Sequence, residues 1–423
     1  MRQIDHHLAT GVAAGEAART HKVWNPSTGE VQAEVALGDA ALLERAVAKA
    51  RQVQPEWAAT NPQRRARVMF KFKELVEANK QELAELLSSE HGKVVDDAHG
   101  DVQRGLEVIE YACSIPQALK GEYTQGAGPG IDVYSMRQPL GIGAGITPFN
   151  FPAMIPMWMF GMAIAVGNAF ILKPSERDPS VPIRLAELFV EAGAPEGLLQ
   201  VVNGDKEMVD AIIAHPDIPA ISFVGSSDIA QYIYSHGTAN GKRVQAFGGA
   251  KNHGIVMPDA DLDVAVAQCT LGSLSYNGQR CTGVKLIYVH DSVADAFVAK
   301  LTAKINAVGG DVEQLTSDEE FMQGLRNVTI GLGELFDSLD KKHARALVQS
   351  LDADDSGGID ARELRSFVKS HRAKNSRDII KKGGMLVSLR ELEVVAEASQ
   401  GIQEAAAIPV PHDFYGESTF TFV

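Results

Sequence analysis

Three things are scarce in this 423-residue chain: cysteine, basic residues relative to acidic ones, and uninterrupted apolar runs. The three cysteines, Cys113, Cys269 and Cys281, are odd in number and far apart. That excludes a disulfide framework and a zinc knuckle and fits the reducing cytoplasm. Forty Lys and Arg stand against 54 Asp and Glu, for a formal net charge of −14. Such a chain repels nucleic-acid phosphates and anionic lipid, so no nucleic acid and no membrane is expected as a partner. The most apolar stretch, Phe151 to Leu172, is broken by Pro152, Pro156, Gly161, Gly167 and Asn168 and reads as a buried segment rather than a membrane span. The start, from Met1 to His7, has no apolar core of the signal-peptide type. No repeat is visible, and no histidines stand at metal-ligand spacing.

What is present is ordinary globular composition, 45% hydrophobic and 22% charged, at a length suited to two or three domains. Residues 1–40 carry strand signals around a turn at Asn25-Pro-Ser-Thr-Gly29. From Asp39 to about Cys113 the apolar residues recur three and four apart, which predicts helices. Beyond Ile131 short apolar strands alternate with helical segments: Gly141–Ile146, Pro156–Val166, Ala169–Leu172, Val181–Ala192, Leu198–Val202, Met208–Ala214, Ile221–Phe223 and Ile229–His236. This alternation predicts an α/β fold with a parallel sheet and crossover helices, which binds ligands at the carboxyl ends of its strands. Further strands are expected at Gly254–Pro258 and Val284–His290, then a helix at Ser292–Val308. After Gly309-Gly310 the texture changes to Asp, Glu, Lys and Ser with few aromatics, so a boundary is placed near 309. The last stretch, 373–423, has only a weak helical pattern at Leu386–Ala398.

Three groups of residues carry chemistry. At a strand's carboxyl end, Lys173-Pro-Ser-Glu176 puts a cation and a carboxylate where a nucleotide ribose would sit, although this tetrapeptide is also common in loops. Phe223-Val-Gly-Ser226-Ser227 opens a helix with a glycine and two hydroxyls, a setting that suits a pyrophosphate. The run Gly141-Ile-Gly143-Ala-Gly145 is not the G-x-G-x-x-G fingerprint. Second, Asn277-Gly-Gln-Arg280-Cys281-Thr-Gly283 offers a cysteine in a glycine-flanked turn beside an arginine, a setting that favours thiolate. Cys113 and Cys269 read as core, and the Met154–Met162 cluster as packing.

The third group is Asp352-Ala-Asp354-Asp-Ser356-Gly-Gly358-Ile-Asp360-Ala-Arg-Glu363. Oxygen side chains at loop positions 1, 3, 5, 9 and 12, with a glycine at 6, match an EF-hand calcium loop, Gly358 giving its carbonyl. Apolar faces at Leu347, Val348, Leu351 and at Leu364, Phe367, Val368 flank it as helices. No paired loop is evident at Asp311–Phe321. A small all-α EF-hand module binding Ca²⁺ is therefore expected over 309–372.

Thr147-Pro-Phe149-Asn150-Phe-Pro152, Gly167 to Arg177 and Gly249-Ala-Lys-Asn-His253 resemble the aldehyde dehydrogenase superfamily, in its CoA-acylating methylmalonate-semialdehyde branch, over about residues 1–306. The resemblance implies a NAD-binding domain over 1–253 and a partial, truncated catalytic domain over 254–308. It makes Cys281 the nucleophile and the Asn150 amide, with the Cys281 backbone N–H, the oxyanion donors. It assigns Lys173 and Glu176 to the adenosine ribose, with Thr147, Phe149, Arg177 and Ser226 completing the NAD site. Arg104 and Arg280 match the branch's arginines for a substrate carboxylate; read without the family, Arg104 is a surface helix residue. The implied substrate is a small aldehyde bearing a carboxylate, with CoA as cosubstrate and a homo-oligomer as the assembly to test. Hydrolytic members carry a Glu as base before the glycine pair; here Phe247 holds that slot, which favours a thiol acceptor over water.

Two departures from the family pattern are visible. Residues 262–306 resemble the non-phosphorylating glyceraldehyde-3-phosphate branch of the same superfamily. No Glu-x-Phe-Gly-Pro segment follows, and the EF-hand stands where the rest of the catalytic domain would be. Three functions stay open on these grounds: CoA-acylating oxidation of methylmalonate or malonate semialdehyde, a hydrolytic or glyceraldehyde-phosphate-type dehydrogenase, and an inactive NAD- and calcium-binding fusion.

Overall fold

A computed structural model describes residues 2–9 and 19–309, with side chains to 307, and the backbone of four later strands. The chain divides into two units, 1–249 and 250–423. The EF-hand loop Asp352–Glu363 lies outside the described residues.

The first unit begins with β1 (Arg2–Ile4), β2 (Arg19–Asn25) and β3 (Glu30–Leu37), ordered β1-β3-β2. Asn25 closes the β2–β3 turn: its carbonyl accepts from Thr28 and Gly29, and Gly29 takes the left-handed φ of +70° that the turn needs. Asp39 then starts α1 (Ala40–Ala59) by accepting from the Leu42 amide at 2.9 Å, and the helix buries Leu42, Leu43, Ala46, Val47 and Ala50 at helical spacing. Asn61 and Pro62 open α2 (Pro62–Ala78) in the same manner. Next, α3 (Lys80–His91) stops at Gly92 with φ +90°, and α4 (Val95–Cys113) and the short α5 (Ile115–Ala118) follow. Strands β4 (Tyr123–Gly128) and β5 (Ile131–Tyr134) form an exposed hairpin that the sequence pattern did not announce.

The sheet that organises this unit has five parallel strands: β6 (Ile142–Ile146), β7 (Ala169–Lys173), β8 (Leu199–Val201), β9 (Ala220–Val224) and β10 (Arg243–Phe247). Crossovers are α6 (Met154–Ala165), α7 (Ser180–Glu191), α8 (Lys206–Ala214) and α9 (Ser227–Ala239). Their order, β10-β9-β6-β7-β8, reverses direction at β6, so the topological switch point lies between β6 and β9. A fully buried β7 explains its continuous apolar run. The edge strand β10, half exposed and alternating, has no such run, and sequence reading passes over it. The β6 glycines make room for Phe170: a Cβ on Gly145 would stand 2.8 Å from that ring. They serve packing, which is why they follow no phosphate-binding pattern. Phe72 meets Phe160 and Phe189 edge-on in the core, and those two lie tilted to one another, with centroids 5.1 to 6.1 Å apart.

In the second unit β11 (Asn252–Val256) pairs in parallel with β12 (Val284–Val289), and between them run α10 (Leu262–Leu274) and a 3₁₀ turn (Ser275–Gly278). Asn252 and His253 pair with Val284 and Leu286 within this second unit. Next comes α11 (Asp291–Gly309), and then two antiparallel pairs, β13 (Ile379–Lys382) with β14 (Met385–Ser388) and β15 (Ala406–His412) with β16 (Gly416–Phe422). A strand at Met385–Ser388, paired antiparallel with Ile379–Lys382, replaces the start of the helix expected at Leu386–Ala398. Among the described residues no helix is long and apolar enough to cross a membrane.

Candidate functional site

The carboxyl ends of β6, β7 and β9 lie side by side, because Ile146 pairs with both Lys173 and Phe223. Register alone thus gathers Thr147, Lys173 and the Gly225-Ser226-Ser227 turn at the switch point. The Thr147 amide donates to the Lys173 carbonyl at 3.0 Å, while the Thr147 hydroxyl is buried with no hydrogen-bond partner. Lys173 is buried and its ammonium meets the half-buried Glu176 carboxylate at 3.1 Å. Burial pushes the Glu176 carboxyl up, but the Lys173 charge and the hydrogen bonds to the carboxylate hold it below the usual range, so it is ionised at neutral pH. Pro174 keeps this turn from continuing as strand, and the Ser175 hydroxyl accepts from the Arg177 amide at 3.1 Å. Arg177 stacks over the Phe149 ring at 5.1 Å, and His91 stacks on Phe149 at 6.0 Å. Ser226 caps α9 through its extended backbone, with no hydrogen bond from its own side chain. Free amides at a helix start, an unpartnered buried hydroxyl and an ionised carboxylate held by a lysine are the groups a dinucleotide's pyrophosphate and ribose require, so this crevice fits NAD.

Behind the Thr147–Asn150 loop sits a buried ionic cluster that sequence reading missed. Lys93 and Asp101 are fully buried and paired at 3.1 Å, and Lys93 also donates to the Asn150 carbonyl at 2.8 Å. Burial lowers the Lys93 ammonium, opposed by Asp101, and burial raises Asp101, opposed by Lys93. Asp178 is fully buried with both carboxylate oxygens unpartnered; burial and then Glu90 push it well above the usual range. Helical spacing gave no signal of this, since a Lys and an Asp eight residues apart across a helix start look like solvated surface.

Arg104 sits on the outside of α4, its side chain 67% exposed and paired with Glu107 at 2.7 Å. Phe247 ends β10 and is 52% exposed. Among the described residues no group of three or more His, Cys, Asp or Glu could hold a metal.

In the second unit the cysteine turn is shaped by backbone. Tyr276, Asn277 and Gly278 take consecutive left-handed φ values of 59°, 53° and 68°. For Tyr276 this is a strained conformation. The Asn252 side chain then ties the turn to β11, donating to the carbonyls of Cys281 and of Gly283, the latter at 3.1 Å. Lys285 donates to the Arg280 carbonyl at 3.1 Å. The Arg280 guanidinium donates to Ser275 at 2.9 Å and stacks on Tyr276 at 5.2 Å, and its Nε is buried without a partner. Cys281 itself is partly exposed, the condition for a thiol that must meet a substrate. By contrast Cys113 is buried, and burial pushes its thiol up to about 11. Burial raises Cys269 as well, in the cluster formed around Val256, Val266 and Phe297.

Comparison with known proteins agrees with this geometry. Residues 13–322 match the model of the "Aldehyde dehydrogenase family". A malonate-semialdehyde dehydrogenase of Pseudomonas aeruginosa is 52% identical over 304 residues, 72% of this chain and 61% of that protein. Malonate-semialdehyde dehydrogenase 1 of Geobacillus thermodenitrificans is 46% identical over 73% of this chain and 64% of its own length. Among solved structures, a chain from Sinorhizobium meliloti 1021, described as a methylmalonate-semialdehyde dehydrogenase and complexed with NAD, superposes with a TM-score of 0.71 at 58% identity. The match covers 72% of this chain and 62% of that one. The chain therefore spans somewhat over three fifths of the length of these relatives.

Proposed function

Because the chain belongs to the aldehyde dehydrogenase family, we propose that it catalyses NAD-dependent, CoA-acylating oxidation of methylmalonate or malonate semialdehyde. The observation that carries this reading is the switch-point crevice, where Lys173, Glu176 and Thr147 supply the groups that NAD needs. The relatives named above act on such semialdehydes by their names, and the Sinorhizobium chain holds NAD.

In this reading the Cys281 thiolate adds to the aldehyde carbon, and the Asn150 amide donates to the oxygen that gains negative charge. Bound NAD⁺ supplies the hydride acceptor. Loss of hydride leaves an acyl thioester on Cys281, and CoA thiol then displaces the cysteine, which leaves as thiolate. Arg280, and Arg104 by family correspondence, would receive the substrate carboxylate. Phe247 offers no base to activate water, so the thioester waits for CoA.

The exposed apolar hairpin, with Tyr123, Ile131, Val133 and Tyr134 open, supports assembly with a second copy. Three unpaired cysteines and the acidic balance support a cytoplasmic setting.

NADH formation with each semialdehyde, with and without CoA, tests the proposal. CoA-dependent NADH supports it. NADH that needs no CoA favours the hydrolytic or glyceraldehyde-phosphate-type alternative. No NADH with intact NAD binding leaves the inactive binding protein. A second reading concerns the tail: the spacing of Asp352, Asp354, Ser356, Gly358, Asp360 and Glu363 supports one Ca²⁺ per chain, in the weak range of roughly 10⁻⁵ to 10⁻⁴ M expected of an unpaired sensor loop. Calorimetry with millimolar Ca²⁺ decides it, and the absence of heat from the intact chain together with no change in the Glu363→Gln variant defeats it.

A further inference from the structure

Asn150 stands in the loop between β6 and α6, and α6 begins at Met154 without a capping side chain of its own. Its cap comes instead from α4: Asp101 Oδ1 accepts from the Met154 amide at 2.7 Å, while Oδ2 meets Lys93. Lys93, directly after the left-handed Gly92, turns back to donate to the Asn150 carbonyl and lies 4.8 Å over the Phe151 ring. The four residues from Asn150 to Ala153 are thus gripped at both ends by one salt bridge whose members are each 0% exposed.

We infer that Lys93 and Asp101 are positioning residues, a buried clamp that fixes the Asn150 backbone so that its side-chain amide presents one geometry to a developing oxyanion. The inference rests on the reading of Asn150 as oxyanion donor. Its physical basis is that a buried ion pair gives little net stability, and apolar residues of similar volume commonly serve as well or better. What apolar packing does not supply is direction. An ammonium aimed at one carbonyl and a carboxylate aimed at one amide fix the loop to a fraction of an ångström, the tolerance that oxyanion donation requires. Neither residue touches substrate or cofactor in this account; both act through Asn150.

The test uses the full chain and p-nitrophenyl acetate as acyl donor, which needs neither NAD nor CoA. The Cys281 sulfur bonds to the acetyl carbon, the ester C–O bond breaks, nitrophenolate leaves with the electron pair, and the thiol proton passes to solvent. The single-turnover burst of nitrophenolate reads the acylation rate. The variant Lys93→Met/Asp101→Asn removes both charges and keeps an acceptor for the Met154 amide. It should acylate roughly 10- to 100-fold more slowly, as a misplacement of about 1 Å does, with NAD affinity by calorimetry within about twofold of wild type. Asn150→Ala should be slowed similarly, and the triple variant should be no slower than Asn150→Ala, because all three changes remove one interaction.

Wild-type acylation in the double variant, beside a slow Asn150→Ala, overturns the clamp and leaves Asn150 in its role. Additive losses in the triple variant also overturn it, since they indicate a general structural effect. A wild-type rate in Asn150→Ala, or no burst in the parent chain, defeats the reading of the site itself and the inference with it. If the double variant does not unfold cooperatively, Asp101→Asn alone carries the same comparison with Asn150→Ala.

Discussion

The first unit covers its five-stranded sheet with helices and fills its interior with Phe72, Phe160, Phe189 and dozens of aliphatic residues, whereas the second buries only Val256, Val266 and Phe297 among its described hydrophobics. The second also leaves Ile255 72% and Leu271 60% exposed. The two units hold their chemistry differently as a result. In the first, buried cations are aimed by acidic partners, Lys173 by the half-buried Glu176 and Lys93 by the fully buried Asp101. In the second, the cysteine turn relies on a left-handed backbone and on bonds from partly exposed side chains, Asn252 and Lys285. Affinity for cofactor should accordingly be robust, and acylation sensitive to small changes.

The sharpest way to break this contrast is Cys281→Ala, which should abolish acylation in the nitrophenolate burst and leave NAD binding intact. Cys113→Ala and Cys269→Ala should retain most of the burst, because burial keeps both thiols protonated. A surviving burst in Cys281→Ala would place the nucleophile elsewhere.

Next in size is Lys93→Met alone. It strands the Asp101 carboxylate in the interior, and urea unfolding should show a loss of roughly 3–5 kcal/mol in the first unit. The paired change Lys93→Met/Asp101→Asn should recover most of that loss. If the single change costs nothing, the pair is not buried as described.

A somewhat smaller effect is expected from pH. Burial lowers His6 from its ordinary 6.5 to about 4, and its Nδ1 accepts from the Asn203 amide at 3.0 Å. Between those values the unfolded chain binds a proton and the folded chain does not, so stability is full above pH 6.5 and is lost as pH falls through 4. The loss from this group is on the order of 2–3 kcal/mol. Denaturation midpoints against pH, in wild type and His6→Asn, measure it; identical acid slopes would assign the effect to other groups.

Smallest is Glu176→Gln. The Glu176 carboxylate repels a 2′-phosphate, so removing its charge should relax discrimination between NAD and NADP by about 1 kcal/mol, read by calorimetry with both nucleotides. An unchanged ratio would remove Glu176 from the ribose site.

Much of this molecule is determined locally. Periodicity marks the helices from α1 to α4 and the alternation from β6 to α9, because these elements follow from side-chain patterning within one segment. The short motifs around Thr147, Lys173, Ser226 and Cys281 identify the candidate site for a similar reason: each occupies a turn directly after a strand or a helix, where spacing in the chain and position in space agree. Tertiary structure alone decided the rest. The half-exposed edge strand β10 and the exposed β4–β5 hairpin carry little burial pattern. Arg104 became a surface residue paired with Glu107 once α4 turned its apolar face inward. The Lys93–Asp101 clamp is the clearest case: its two charges face inward only because the turn before α4 and α4 itself bring them together beneath the carbonyl of Asn150, 57 positions from Lys93. A sequence records which residues are charged, whereas packing determines which charges are removed from water and what they must then hold.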